Sequence, residues 1–164
     1  GVVNIDHSLS ILIGGPSRAD RPVRQSASWD YDRLEASESR TYRFELSRQL
    51  GAGSLALTWH RQVAGPTGGG TFQFNGGANQ TWSPAARLAN FDIKLVRLDR
   101  HGEPEVLAES ASDIDNVEHI YHKPLEPGRY RLIVTRQADG HMRDWPYALA
   151  WRIAPPQAGQ PATQ

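Results

Sequence analysis

From Trp29 onward the chain carries apolar residues in steps of two. Tyr42, Phe44 and Leu46 form one such set, Leu55, Leu57 and Trp59 another, and Phe91, Ile93 and Leu95 a third. The last third repeats the pattern at Val117 and Tyr121, at Tyr130, Leu132 and Val134, and at Tyr147, Leu149, Trp151 and Ile153. A period of two sends alternate side chains to opposite faces, so each run predicts a strand with one face on a core and the other in water. Pro127-Gly128 marks a turn, because Pro fixes φ and Gly tolerates positive φ. Asp99-Arg-His-Gly102 has the polarity and glycine of a hairpin turn, leading into a strand over Val106–Ser110. The runs amount to about eight strands at spacings of ~10–20 residues, which predicts an all-β antiparallel sandwich with jelly-roll or Greek-key wiring.

The remainder breaks this rhythm. Ile5, Leu9, Leu12 and Ile13 recur near helical spacing behind Asn4 or Asp6 as a cap, and Gly14-Gly15-Pro16 ends the segment. Residues 1–15 are therefore read as a tail with a short helix, 16–27 as an arginine-rich connector, and 28–154 as the sandwich domain. The stretch from Ala64 to Leu88 is rich in glycine and polar residues and too long for an ordinary loop, which makes it functional or disordered. Phe72-Gln-Phe74 fits a short strand inside it. Residues 155–164 lack large apolar side chains and are expected to be a disordered tail.

Charge narrows the choice of partner. With 18 basic and 18 acidic residues the formal net charge is zero, so neither a nucleic acid nor an anionic membrane surface is favoured. No apolar run approaches the ~20 residues of a membrane span. The absence of cysteine removes disulfides, thiolate nucleophiles and Cys-ligated zinc. An opening Gly1 in place of Met is expected of a piece of a longer protein, or of a residue left by purification.

Candidate chemistry is sparse, and no Gly-x-Ser-x-Gly elbow or comparable nucleophile motif occurs. His119 and His122 are three apart, which on a strand places them on opposite faces; His119 is expected to be partly buried, His122 and His141 solvated. Asp113, Asp115, Asn116 and Glu118 offer several oxygens at a loop-to-strand junction, a donor set suited to calcium, with Asp92 or Asp99 as neighbours. The same residues also suit an ordinary turn. Of the five tryptophans, Trp29, Trp59 and Trp151 fall with core positions, whereas Trp82 and Trp145 lie in or beside loops and could contact a ligand.

Two stretches resemble a known family. Gly1-Val-Val-Asn-Ile-Asp-His-Ser-Leu-Ser-Ile11 resembles the segment that ends the catalytic domain of secreted subtilisin-like serine peptidases. Trp29-Asp-Tyr31, Leu55-Ala-Leu-Thr-Trp-His60, Asn90-Phe-Asp-Ile-Lys-Leu95, Asp115-Asn-Val-Glu-His-Ile-Tyr121 and Pro127-Gly-Arg-Tyr130 are similar to the β-sandwich domains appended to such peptidases, in the style of prepeptidase C-terminal domains. The resemblance implies a secreted or cell-surface chain of bacterial-type export. It implies a non-catalytic accessory domain that stabilises a parent catalytic domain or attaches it to substrate or surface. The family's catalytic motifs have no counterpart here, and some of its sandwiches bind calcium. A carbohydrate-binding module using Trp82 and Trp145 is the competing expectation. A free-standing enzyme with histidine ligands inside a barrel is the third, and the apolar core faces oppose it.

Overall fold

The computed structural model describes residues 4–64, 85–138, 140 and 143–154. In chain order the elements are α1 (Ile5–Gly14), β1 (Pro22–Val23), β2 (Ala27–Leu34), β3 (Ser39–Leu46), β4 (Ala52–Trp59), β5 (Gln62–Ala64), β6 (Ala85–Arg87), β7 (Phe91–Leu98), β8 (Pro104–Ala111), β9 (Val117–His122), β10 (Gly128–Arg136) and β11 (Trp145–Ala154). One sheet runs β2-β11-β4-β9 and a second β1-β3-β10-β7-β8, while β5 and β6 pair alone. Take the eight strands that remain when β1, β5 and β6 are set aside. The first sheet then holds the first, eighth, third and sixth of them, and the second holds the second, seventh, fourth and fifth. That order is the jelly roll, two Greek keys folded onto each other.

Alternation builds the core. Leu55, Leu57, Trp59, Tyr147, Leu149, Trp151 and Ile153 point inward from one sheet and meet Tyr42, Phe91, Ile93, Leu95, Tyr130, Leu132 and Val134 from the other. Each such side chain taken fully out of water contributes about 1.5–3 kcal/mol. Rings interlock across the layers: Trp59 on Phe91 at 5.1 Å, Phe91 on Tyr147 at 5.6 Å and Tyr42 on Trp151 at 5.8 Å between centroids.

The phase of β9 corrects the sequence reading. Its Val117 and Tyr121 lie 51% and 59% exposed, while Glu118 and Ile120 turn inward. The register explains it: Ile120 pairs with Leu55 and Glu118 with Leu57, so β4's buried face dictates which β9 residues face in. Glu118 is tolerated there because the Ser112 N–H (2.8 Å) and the Ser110 hydroxyl both donate to its carboxylate.

The arginine-rich connector is part of the fold. Pro16 bridges Trp29 in parallel, the Ser17 N–H donates to the Trp29 carbonyl at 2.8 Å, and β1 then pairs with β3. The segment thus crosses from the edge of one sheet to the edge of the other and closes that side of the sandwich. Gly14 permits the start of this path, since a Cβ there would lie 1.8 Å from the Ala27 carbonyl oxygen.

Helix α1 begins at Asn4, whose side chain accepts the His7 N–H at 3.0 Å. It buries no residue, and Ile5, Leu12 and Ile13 are 75%, 65% and 75% exposed. Among the described residues no helix is long and apolar enough to cross a membrane.

Candidate functional site

Strand β2 differs from its neighbours in what it turns inward. Ser28 and Asp30 are buried on its core side and only then does Leu34 follow. Asp30 accepts the Tyr42 hydroxyl at 2.7 Å and the Tyr31 N–H at 2.9 Å. The Tyr147 hydroxyl lies 2.9 Å from that of Tyr42, and because Tyr42's proton goes to Asp30, Tyr147 donates to Tyr42. Burial holds the Asp30 carboxyl above the usual carboxylate range, with the Tyr42 bond opposing the shift. The same loss of water pushes both phenols far above the ordinary tyrosine value. Such phenols stay neutral at physiological pH and serve as hydrogen-bond donors within the network. The network ties β2, β3 and β11 together.

A cleft lies beside it, between β2 and the crossing segment 16–25. Its volume is about 760 Å³, and Arg18, Arg21, Arg24, Gln25, Trp29 and Tyr31 line it together with Asp30 and parts of Pro16–Pro22. Neither Arg18 nor Arg24 makes a side-chain hydrogen bond or ion pair among the described residues, and Arg21 stands 4.0 Å from the exposed Asp20. The Trp29 indole N–H is buried with no acceptor. An adjoining trough of about 640 Å³ shares Arg18, Asp30 and Tyr31 and continues to Arg40 and Arg43. Arg40 there is engaged by Asp32 at 3.2 Å and Glu38 at 3.7 Å.

The residues expected to hold calcium do not converge. Asp113 accepts from the Asn90 amide at 2.9 Å and Asp115 from the Ser112 hydroxyl at 2.9 Å. The Asn116 amide donates to the Trp59 carbonyl at 2.8 Å, and Glu118 faces inward to the serines of β8 and the following turn. Asp92 accepts from the Gln137 side chain, and Asp99 accepts the His101 and Glu103 N–H groups of its own hairpin turn. Among the described residues no three His, Asp or Glu side chains come together. A calcium ion on Asp113, Asp115, Asn116 and Glu118 would have to exchange these internal bonds for its own.

Trp145 corrects a second expectation. It opens β11 and is 2% exposed, its indole N–H donates to the His60 carbonyl at 3.0 Å, and the Arg136 guanidinium lies over its ring at 5.7 Å. Its position beside a loop concealed that it is the inward residue of the strand's first pair. Trp82, most of the glycine-rich stretch, Phe72–Phe74, His141 and 155–164 lie outside the described residues. Trp29, expected in the core, sits half-buried on the other face of β2. His119 is exposed and 3.1 Å from the Ser54 hydroxyl, whereas His122 is half-buried, the reverse of the expected order.

Sequence reading gave no sign of Arg136. Its side chain is 0% exposed and donates to the Leu34 and Arg143 carbonyls, tying together two chain segments at one end of the sandwich. An Arg closing an alternating run looks like the solvent end of a strand, and only the packed neighbours reveal its task.

No protein-family model matches the chain, and no curated protein matches it. It is similar to a crystal structure of a protein from Sulfurospirillum deleyianum, with a TM-score of 0.39 and 10% identity over 76% of this chain and 96% of that one.

Proposed function

We propose that this chain is a non-catalytic accessory domain of an exported subtilisin-like peptidase, one that stabilises the catalytic domain or fastens it to substrate or surface. The observation that carries the reading is α1. It is a capped helix that buries no residue and leaves Ile5, Leu12 and Ile13 together in water. A second fold covering those residues would remove apolar surface from water at about 25 cal/mol per Å². The sandwich contributes rigidity, and its hydroxyl network joins β2, β3 and β11 in the core.

Two measurements test this. The purified chain is expected to release no product from casein or from a p-nitrophenyl ester; hydrolysis that persists through repurification contradicts the proposal. Fused behind a subtilisin-like catalytic domain, the chain is expected to raise that domain's Tm. Replacing Ile5, Leu12 and Ile13 together by Asp is expected to abolish the gain. A catalytic domain indifferent to the intact chain would remove the stabilising role.

A further inference from the structure

We propose that the cleft between β2 and segment 16–25 binds an acidic glycan, with Arg18, Arg21 and Arg24 receiving uronate carboxylates and Trp29 and Tyr31 offering faces to the sugar rings. The site is independent of the accessory role proposed above, whose tests do not involve this cleft.

The electrostatics come first. The chain has no net charge, yet three arginines line this cleft: Arg18 stands within electrostatic reach of Asp30, which is also bonded to Tyr42, and Arg21 is 4.0 Å from Asp20. Arg18 and Arg24 are left without side-chain hydrogen-bond partners. A guanidinium presents a fork of donors that matches a carboxylate in two parallel bonds, so arginines whose donors make no hydrogen bond favour a planar anion over a neutral ligand.

The aromatic residues add the second requirement. Trp29 and Tyr31 alternate with Asp30 along β2 and both line the cleft, Tyr31 being 59% exposed. Faces of this kind suit the apolar side of a pyranose, while the Gln25 amide suits its hydroxyls. A buried donor with no acceptor is a cost to the fold, and the Trp29 indole N–H is such a donor. Phenylalanine would pack there without that cost, so packing alone does not account for tryptophan.

Size sets the third. Ligand clefts commonly span ~300–1,000 Å³, and about 760 Å³ falls within that range. The adjoining trough of about 640 Å³ lengthens the path along the β2 edge, which suits a short run of sugars better than a lone anion. The acidic residues Asp20 and Asp32 on that path disfavour the unbroken phosphate chain of a nucleic acid.

The test is affinity electrophoresis and calorimetry of the whole chain with oligogalacturonate, a neutral galactan of equal length, and an oligothymidylate. Oligogalacturonate is expected to bind, and more weakly as salt rises, because the arginines are exposed. The galactan and the oligothymidylate are expected to bind at least about tenfold more weakly, a difference of ~1.4 kcal/mol. Arg18→Gln with Arg24→Gln is expected to lower affinity by about tenfold or more, since both charge-assisted donors are lost. Trp29→Phe is expected to keep or raise Tm while weakening binding, and it covers the case in which Trp29→Ala fails to fold. The proposal is overturned if oligogalacturonate does not bind, if the arginine double variant binds it unchanged, or if either control ligand binds equally well.

Discussion

Asp30, Tyr42 and Tyr147 make a proton-linked unit whose sign can be worked out. The phenols of Tyr42 and Tyr147, and that of Tyr130, are raised in the fold chiefly by burial, so above the ordinary tyrosine value of ~10 the folded chain holds protons that the unfolded chain releases. Stability contributed by these groups is complete below pH ~10 and is lost as pH rises beyond it. Alkaline titration followed at 295 nm should show buried tyrosines ionising together with loss of the fold, and Tyr42→Phe should shorten that coupled step. Asp30 is also raised, so its contribution declines as pH climbs from the unfolded value of ~3.9 towards its folded value. Asp30→Asn should flatten urea-measured stability across that interval. Arg136 is a separate case. Its removal strands the Leu34 and Arg143 carbonyls, so Arg136→Met should cost about 3 kcal/mol in chemical denaturation. Arg136→Lys should restore only part, because an ammonium lacks the planar guanidinium that lies over the Trp145 ring. None of this was legible in the sequence. Tyr42 and Tyr147 read only as core aromatics, and Asp30 read as a polar residue between two aromatic ones.

Among elements, the turn before β10 is the best determined by local chemistry. Leu125 is 1% exposed, Gly128 adopts φ +155°, and the Tyr130 hydroxyl donates to the Glu126 carbonyl at 2.6 Å. This is a tyrosine corner, in which a strand's ring reaches back to pin the loop that leads into it. Tyr130→Phe should lower stability by about 1 kcal/mol with the core intact, and Gly128→Ala should add strain of its own at that φ. Thermal melts of the two variants separate the effects. Strands β4, β10 and β11 bury alternate residues as the period-two pattern predicts, and β3 and β7 turn Tyr42 and Phe91, Ile93 and Leu95 inward in the same phase. Strand β9 does not, because its phase is imposed by β4 and its inward Glu118 finds donors only on the spatially adjacent β8 region. For β2, Trp29 is expected in the core, yet the opposite face is the buried one.

At the scale of the whole molecule the jelly roll leaves chemistry at its rim. The carboxylates at Asp113–Glu118 already have donors within the chain, so EDTA should leave Tm unchanged; a fall restored by calcium would show that an ion displaces those bonds. The cleft at β2 arises only because residues 16–25 cross from one sheet edge to the other, bringing Arg18, Arg21 and Arg24 beside Trp29 and Tyr31. By itself the amino-acid order determined the strand segments, the capped helix, the hairpin at Asp99–Gly102 and the apolar composition of the core. Those properties are local, set by period, propensity and turn chemistry between near neighbours. Tertiary structure alone decided the phases of β2 and β9, the burial of Trp145 and Arg136, and the gathering of arginines from a segment that reads as a loose connector. Each of these depends on a partner far along the chain, and a period-two pattern does not encode which edge that partner will occupy.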